Sequence, residues 1–162
     1  MRLNIIAAVA ANNAIGYQNK LLYHIKADMQ RFRQLTTGHT VIMGRKTFES
    51  LPGGALPDRR NIVLSHCKIE LPGCETFPSL EDALRHCDND EDVFVIGGES
   101  IYRLALPLAD HLYMTEIEST PDNADAFFPD YSENWVSEHT EEHETQKTHR
   151  KFKFVDYKRK NS

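Results

Sequence analysis

With 162 residues, 40% of them hydrophobic, and a formal charge of −5, the chain is sized for one soluble domain with its own core rather than for two. That acidity excludes a general nucleic-acid binder, which needs a continuous positive face; the basic pairs Arg45-Lys46 and Arg59-Arg60 are local. No apolar run approaches the roughly 20 residues of a membrane span, and Cys67, Cys74 and Cys87, lacking a Cys-x-x-Cys pair, suit reduced cytoplasmic thiols better than a disulfide framework or zinc site.

Met1-Arg2 followed by Leu3 to Ala11 loosely imitates a signal peptide, but Asn4 interrupts the short apolar run and the basic region is a single Arg. Leu3 to Ala10 reads instead as a first strand covered on both faces. Ala11 to Tyr23 contains Asn12-Asn13, Gly16 and Asn19 without periodicity, so a lid or binding loop is expected there. Within Leu21 to Phe32 a helical period takes over, and Ile25, Asp28, Met29, Phe32 and Leu35 fall on one face. Asp28 thus stands on an apolar stripe, where a carboxylate is costly unless it has a partner. A first-turn acid serving the helix dipole is the plainer reading, and a functional carboxylate is the other. Gly38 is placed to cap the end of this helix near Leu35 to Thr37.

His39 to Met43 forms a second strand and runs into Gly44-Arg45-Lys46-Thr47 at the start of a helix. Exposed N–H groups there, with two cations and a hydroxyl, suggest a phosphate seat. Leu51-Pro52-Gly53-Gly54 ends that helix, Asn61 to Ser65 reads as a third strand and Glu75 to Phe77 as a fourth. Ser79, with Asp82 three positions on, opens a helix through about His86. Asp92 to Ile96 is a fifth strand, stopped by Gly97-Gly98 ahead of a helix from about Ser100 to Leu106. Such a glycine pair lets a ligand reach the backbone, although a tight turn is its commoner use. His111 to Ser119 is a sixth strand. After an acidic loop from Thr120 to Glu133, Trp135 to His139 and Phe152 to Lys158 alternate apolar with polar, as a half-exposed antiparallel pair should.

Strands alternating with helices predict an α/β fold. We expect a single domain over residues 1–162, with a central, mostly parallel twisted sheet of about eight strands, four flanking helices and a C-terminal antiparallel hairpin. Ligands of such sheets bind at the carboxyl ends of strands, where Gly44-Arg45, Ser65 and Gly97-Gly98 offer separate anion seats for a phosphorylated dinucleotide. The Gly-x-Gly-x-x-Gly fingerprint is missing, so the common dinucleotide fold is not indicated. Arg45, Lys46 and His66 favour an extra ribose phosphate, hence NADP over NAD. A rival class comes from His139-Thr140-Glu141-Glu142-His143, which fits the His-x-x-Glu-His pattern of some zinc peptidases. In a strand, residues four apart stand roughly 13 Å from each other, too far to share a metal, and the flanking sequence reads as extended.

The motifs Ile6-Ala7-Ala8, Asn13-Ala14-Ile15-Gly16, Ala27-Asp28-Met29 with Phe32, Val41-Ile42-Met43-Gly44-Arg45 with Thr47 and Ser50, Leu56-Pro57 with Arg59, Asn61-Ile62-Val63-Leu64-Ser65, Ile96-Gly97-Gly98 with Tyr102, Thr115, and Phe128-Pro129 occur in one order and spacing. From about Leu3 to Tyr157 the chain resembles dihydrofolate reductases, which reduce 7,8-dihydrofolate with NADPH. The resemblance implies that Asp28 binds the pterin 2-amino group and N3, with Thr115 orienting it and Tyr23 taking the place of a tryptophan in the water relay to N5. It implies a substrate pocket of Ile6, Ala7, Met29, Phe32, Leu51 and Leu56, with Arg59 on the glutamate carboxylate. On the cofactor side it implies Ala8, Ile15, Ile96 and Tyr102 around the nicotinamide. Lys46, Thr47 and the Gly97-Gly98 pair, with its unusual cis peptide, face the pyrophosphate. Arg45, Ser65 and His66 hold the 2′-phosphate, and Gly16, Gly44, Leu64, Ser100 and Ile101 complete the cofactor-binding set. Antifolate inhibitors, a monomer and a cytoplasmic location are implied with them.

Three departures stand out. Leu22-Tyr23 replaces the usual Pro-Trp; Glu99-Ser100 stands where an arginine often follows the glycine pair; and Gly53-Gly54-Ala55 replaces an Arg-Pro neighbourhood. A reductase of another pterin or of a riboflavin precursor is the nearest alternative, and Arg59 argues against it, because only a substrate with a glutamate tail needs that cation. A non-catalytic folate or nucleotide binder is more distant and would have no use for an acid beside a hydride donor.

Overall fold

The computed structural model describes residues 1–160, so the last two residues of the expected domain lie outside it. In chain order the elements are β1 (Arg2–Ala10), β2 (Ala14–Tyr17), β3 (Lys20–Leu21), α1 (Lys26–Thr36), β4 (Thr40–Gly44), α2 (Arg45–Ser50), β5 (Arg60–Leu64), β6 (Cys74–Phe77), α3 (Leu80–Arg85), β7 (Asp92–Gly97), α4 (Glu99–Ala105), β8 (His111–Ile117), β9 (Ala126–Phe127), β10 (Trp135–Glu144) and β11 (Lys151–Arg159). Eight of the strands form one sheet in the order β10-β11-β8-β1-β7-β4-β5-β6. Pairing is parallel from β8 to β6, and β11 joins β8 antiparallel. The expected mostly parallel sheet with an antiparallel C-terminal hairpin is therefore the observed one.

The continuous apolar run of β1 is explained by its central place. Leu3, Ile5, Ala7 and Val9 face one layer, where they pack with Leu80 and Ala83 of α3 and Ile101 and Ala105 of α4. Ile6 points to the opposite layer with Val41, Met43, Val63 and Phe94, against Phe32 and Leu35 of α1 and Phe48 of α2. A strand buried on both faces has no polar side to alternate with. Ser79 caps α3 as expected, its hydroxyl accepting the Asp82 N–H at 3.1 Å. Gly38, with φ +85°, ends the turn after α1 in the left-handed conformation that a glycine adopts freely.

Two loop expectations are corrected. Within Ala11 to Tyr23 lie β2 and β3, and within Thr120 to Glu133 lies β9; together they form a second, three-stranded sheet in the order β3-β2-β9. Strands of two to four residues carry too few alternations to register as a period. Asp125 ties this sheet together, its N–H donating to the Gly16 carbonyl at 3.0 Å and its Oδ2 accepting the Gln18 N–H at 3.0 Å.

The hairpin also differs from expectation. β10 extends to Glu144 and is exposed at every position after Trp135, because it is the outermost strand of the sheet. Alternation survives only in β11, where Phe152, Phe154 and Val155 are buried. His139 and His143 lie in this extended strand, 3.3 and 3.5 Å from the two carboxylate oxygens of Glu141, and not one helical turn apart. Among the described residues no three His, Cys, Asp or Glu side chains converge as a metal site. No helix among them is long and apolar enough to cross a membrane.

Candidate functional site

A cleft of about 1070 Å³ opens at the carboxyl ends of β4, β5 and β7, the size of a large ligand site. Its floor holds Gly44, Arg45, Lys46 and Thr47 from the β4–α2 junction. Leu64, Ser65 and His66 from the end of β5 border it on one side. Ile96, Gly97, Gly98, Ser100, Ile101 and Tyr102 from the β7–α4 junction border it on another, and Ala8, Ile15 and Gly16 close it from β1 and β2. All sixteen residues expected around a dinucleotide thus line one cleft.

The backbone there is shaped for close approach. The Gly97-Gly98 peptide is cis, and Gly97 has φ +132°, which side-chain-bearing residues rarely adopt. A Cβ on either glycine would stand 3.3 Å from Thr47 Oγ1 and fill the cradle between the two junctions. Arg45 and Lys46 are exposed beside it, Arg45 pairing through Nε with Glu49 Oε1 at 3.0 Å. Tyr102 is buried, and its hydroxyl donates to the Ile6 carbonyl at 2.9 Å. Burial, reinforced by the negative charge of Asp28, pushes its phenol well above the ordinary range, so it remains a neutral donor. The group that such glycines and cations fit is a dinucleotide with an added phosphate.

A second set of residues adjoins the first through β1 and β8. Ala8 of the cleft lies opposite Thr115 in the parallel ladder, and Thr115 Oγ1 donates to Asp28 Oδ1 at 2.5 Å. Asp28 does occupy the first turn of α1, as the plainer reading required, but its carboxylate is spent on β8 rather than on its own helix. Burial raises its pKa above the usual carboxylate value, while the Thr115 hydroxyl and the positive charge of Arg31 pull it back down. Arg31 forms an ion pair with Asp156, and its guanidinium lies 4.6 Å from the Phe154 ring centroid.

Ile6, Phe32, Leu51 and Leu56 share one apolar cluster, and Ala7 is buried in the layer behind it. Met29 differs, since 55% of it is exposed although it shares the helical stripe. Arg59 is anchored at the rim, Nε donating to the Pro57 carbonyl at 2.8 Å and Nη1 to Thr36 Oγ1 at 3.1 Å. Its guanidinium carbon lies 6.0 Å from the Phe32 ring centroid.

The same cleft has lining residues that sequence reasoning missed. Pro78 to Glu81 follow β6, which is parallel to β5, so the carboxyl-end rule would have found them. Arg103, one turn after Glu99 and paired with it at 3.1 Å, reaches the cleft from α4. Asn19 bridges from the small sheet, its amide donating to the Lys46 carbonyl at 3.0 Å. The stretch that carries it is expected as a lid or binding loop, but nothing in the sequence singles out this Asn within it.

A family model described as dihydrofolate reductase matches residues 2–159. The chain belongs to the dihydrofolate reductase family. Its reaction is therefore the NADPH-dependent reduction of dihydrofolate. The dihydrofolate reductase of Bacillus subtilis is 40% identical over 163 residues, covering 99% of this chain and 96% of that protein. The type 3 dihydrofolate reductase of Salmonella typhimurium is 45% identical over 132 residues, 81% of this chain and 80% of its own length. Among solved structures, the dihydrofolate reductase from Enterococcus faecalis complexed with NADP(H) and RAB-propyl superposes with a TM-score of 0.90 at 30% identity, over 99% of this chain and 97% of that one.

Proposed function

We propose that the chain carries out this reduction with Asp28 as the single ionised group at the pterin, and with the Asp28–Thr115 pair as the observation that supports it most directly. A carboxylate held by one hydroxyl has lone pairs left for two parallel N–H donors, which the pterin 2-amino group and N3 present. Fixing that edge of the ring decides which face meets the cofactor. Ile6, Phe32, Leu51 and Leu56 enclose the ring system, Met29 closes the exposed side, and Arg59 takes the glutamate carboxylate. NADPH, once bound along the cleft, supplies hydride to C6.

On the chain's side, Arg45 with Ser65 and His66 holds the 2′-phosphate, and Lys46, Thr47 and the glycine pair accept the pyrophosphate. Ala8, Ile15 and Tyr102 shape the nicotinamide end and exclude water there. Asp28 acts on the N5 proton indirectly, by polarising the ring from its far edge. Tyr23 stands beside this path. Tetrahydrofolate so formed serves one-carbon transfer, and antifolates carrying a protonated diamino ring would compete for Asp28. Three free thiols support a reducing cytoplasm, and the exposed large apolar residues, spread from Met1 to Val136, support a monomer. Loss of NADPH absorbance that depends on dihydrofolate, run beside NADH and other pterins, tests the reading; turnover of another pterin with none of dihydrofolate would overturn it.

A further inference from the structure

Tyr23 lies between β3 and α1, five residues ahead of Asp28, and is half-buried. With Ala8 and Ala27 it packs on the buried cluster of Ile25, Ile117, Phe152 and Phe154, so it belongs to the wall that also carries the cleft-lining Ala8. Its hydroxyl is already committed, donating to Ser119 Oγ at 2.6 Å. One face of its ring is covered by the Arg150 guanidinium, 4.6 Å from the centroid.

Neither partner is loosely placed. Ser119 lies two residues past the end of β8, and its neighbour Glu118 donates its N–H to the Lys151 carbonyl at 2.9 Å. Arg150 closes the β10–β11 turn, where its N–H donates to Thr145 Oγ1 at 3.0 Å and its carbonyl accepts the Thr145 N–H at 2.9 Å. Three segments therefore meet on one aromatic ring.

We propose that Ser119 and Arg150 are positioning residues for dihydrofolate reduction, which act by clamping the Tyr23 ring as a fixed wall of the substrate site. The clamp turns the tyrosine from a free hydroxyl into an oriented apolar surface. A hydroxyl in a 2.6 Å bond to Ser119 does not donate elsewhere at the same time. A cation over the ring face restrains tilt of the plane while remaining tolerant of sliding. The inference rests on the placement of Tyr23 beside the pterin in the reading above.

The test is a double-mutant cycle read by single-turnover hydride transfer with saturating dihydrofolate, together with the Kd for NADPH by direct binding. Ser119→Ala and Arg150→Met are each expected to slow hydride transfer by about 3- to 10-fold, the worth of one hydrogen bond or one cation–π contact. The Kd for NADPH should stay within about twofold of the parent value, and it serves as the control for folding. Arg150→Lys should restore most of the rate, since an ammonium also binds a ring face. In a Tyr23→Phe background Ser119→Ala should do nothing further. Unchanged hydride transfer in both single variants, or an undiminished Ser119→Ala effect in the Tyr23→Phe background, overturns the clamp. Equal loss of hydride transfer and NADPH binding also overturns it, by marking general damage. A parent protein inactive with dihydrofolate would defeat the functional reading itself.

Discussion

Asp28 on α1 and Thr115 on β8 are joined by a 2.5 Å hydrogen bond across 87 residues of sequence, and the bond opposes the effect of burial on the carboxyl. Burial acts to neutralise Asp28, while the hydroxyl and Arg31 act to ionise it. Asp28→Asn should fold, bind NADPH normally and lose roughly 100-fold or more in turnover at neutral pH, the range of a positioned acid–base group. The loss should shrink at low pH, where the substrate arrives protonated. Steady-state rates across pH check this, and Thr115→Val should shift the parent profile to higher pH, because it removes a contact that lowers the Asp28 pKa.

Stability should move the other way. Because the Asp28 pKa is raised on folding, the unfolded chain gives up this proton first as pH increases. The folded state then binds more protons, so stability falls with rising pH between the ordinary carboxylate value and the raised one, and stays lower above it. Asp28→Asn lacks this penalty and keeps an acceptor for Thr115. Its Tm should exceed the parent's at neutral pH, with the difference closing as pH falls below the ordinary carboxylate value. Calorimetry at several pH values checks it.

Cofactor choice should rest on Arg45. The guanidinium is exposed and, among the described residues, paired only with Glu49, so a 2′-phosphate can recruit it at little structural cost. Arg45→Ala is expected to weaken NADPH by roughly 10- to 100-fold, the value of a charge-assisted contact, and to leave NADH within about twofold. Titration of both cofactors by fluorescence distinguishes this from a general loss of the cleft, in which the two would weaken together.

Arg59 should read the substrate's tail and nothing else. With Nε and Nη1 fixed by Pro57 and Thr36, the fork is preoriented. Arg59→Ala should raise the KM for dihydrofolate by about 10- to 100-fold with NADPH binding intact. A pterin substrate without the glutamate should be indifferent to the change, and comparing the two substrates is the check.

Much of this arrangement is legible in the residues themselves. β1, β4, β5 and β7 announce themselves as short apolar runs because both of their faces are buried, and Gly44-Arg45 and Gly97-Gly98 mark the junctions after two of them. Asp28 is conspicuous for the same reason that it is useful, being a carboxylate on an apolar stripe. Other features carry no local signal. β2, β3 and β9 are too short to show a period, and β10 is too exposed to keep one. Met29 shares the spacing of Phe32 yet stays exposed, because helical periodicity places a residue on a stripe without saying how far the neighbouring layer extends. The partners of Tyr23 lie 96 and 127 positions downstream, so only the closed sheet brings them to it.

The insertion of β8 between β1 and β11 has a consequence for how the activity is born. β8 is the sixth of the sheet's eight strands in chain order, after β1, β4, β5, β6 and β7, and it delivers Thr115 and, just beyond, Ser119. A nascent chain that has completed β7 holds Asp28 and Tyr23 with neither partner. Contacts of such long sequence separation form late, since their loops must first close. The last third of the chain is therefore no dispensable scaffold, since it supplies the partners of both residues: an enzyme assay on this protein is at the same time a report on the assembly of its sheet.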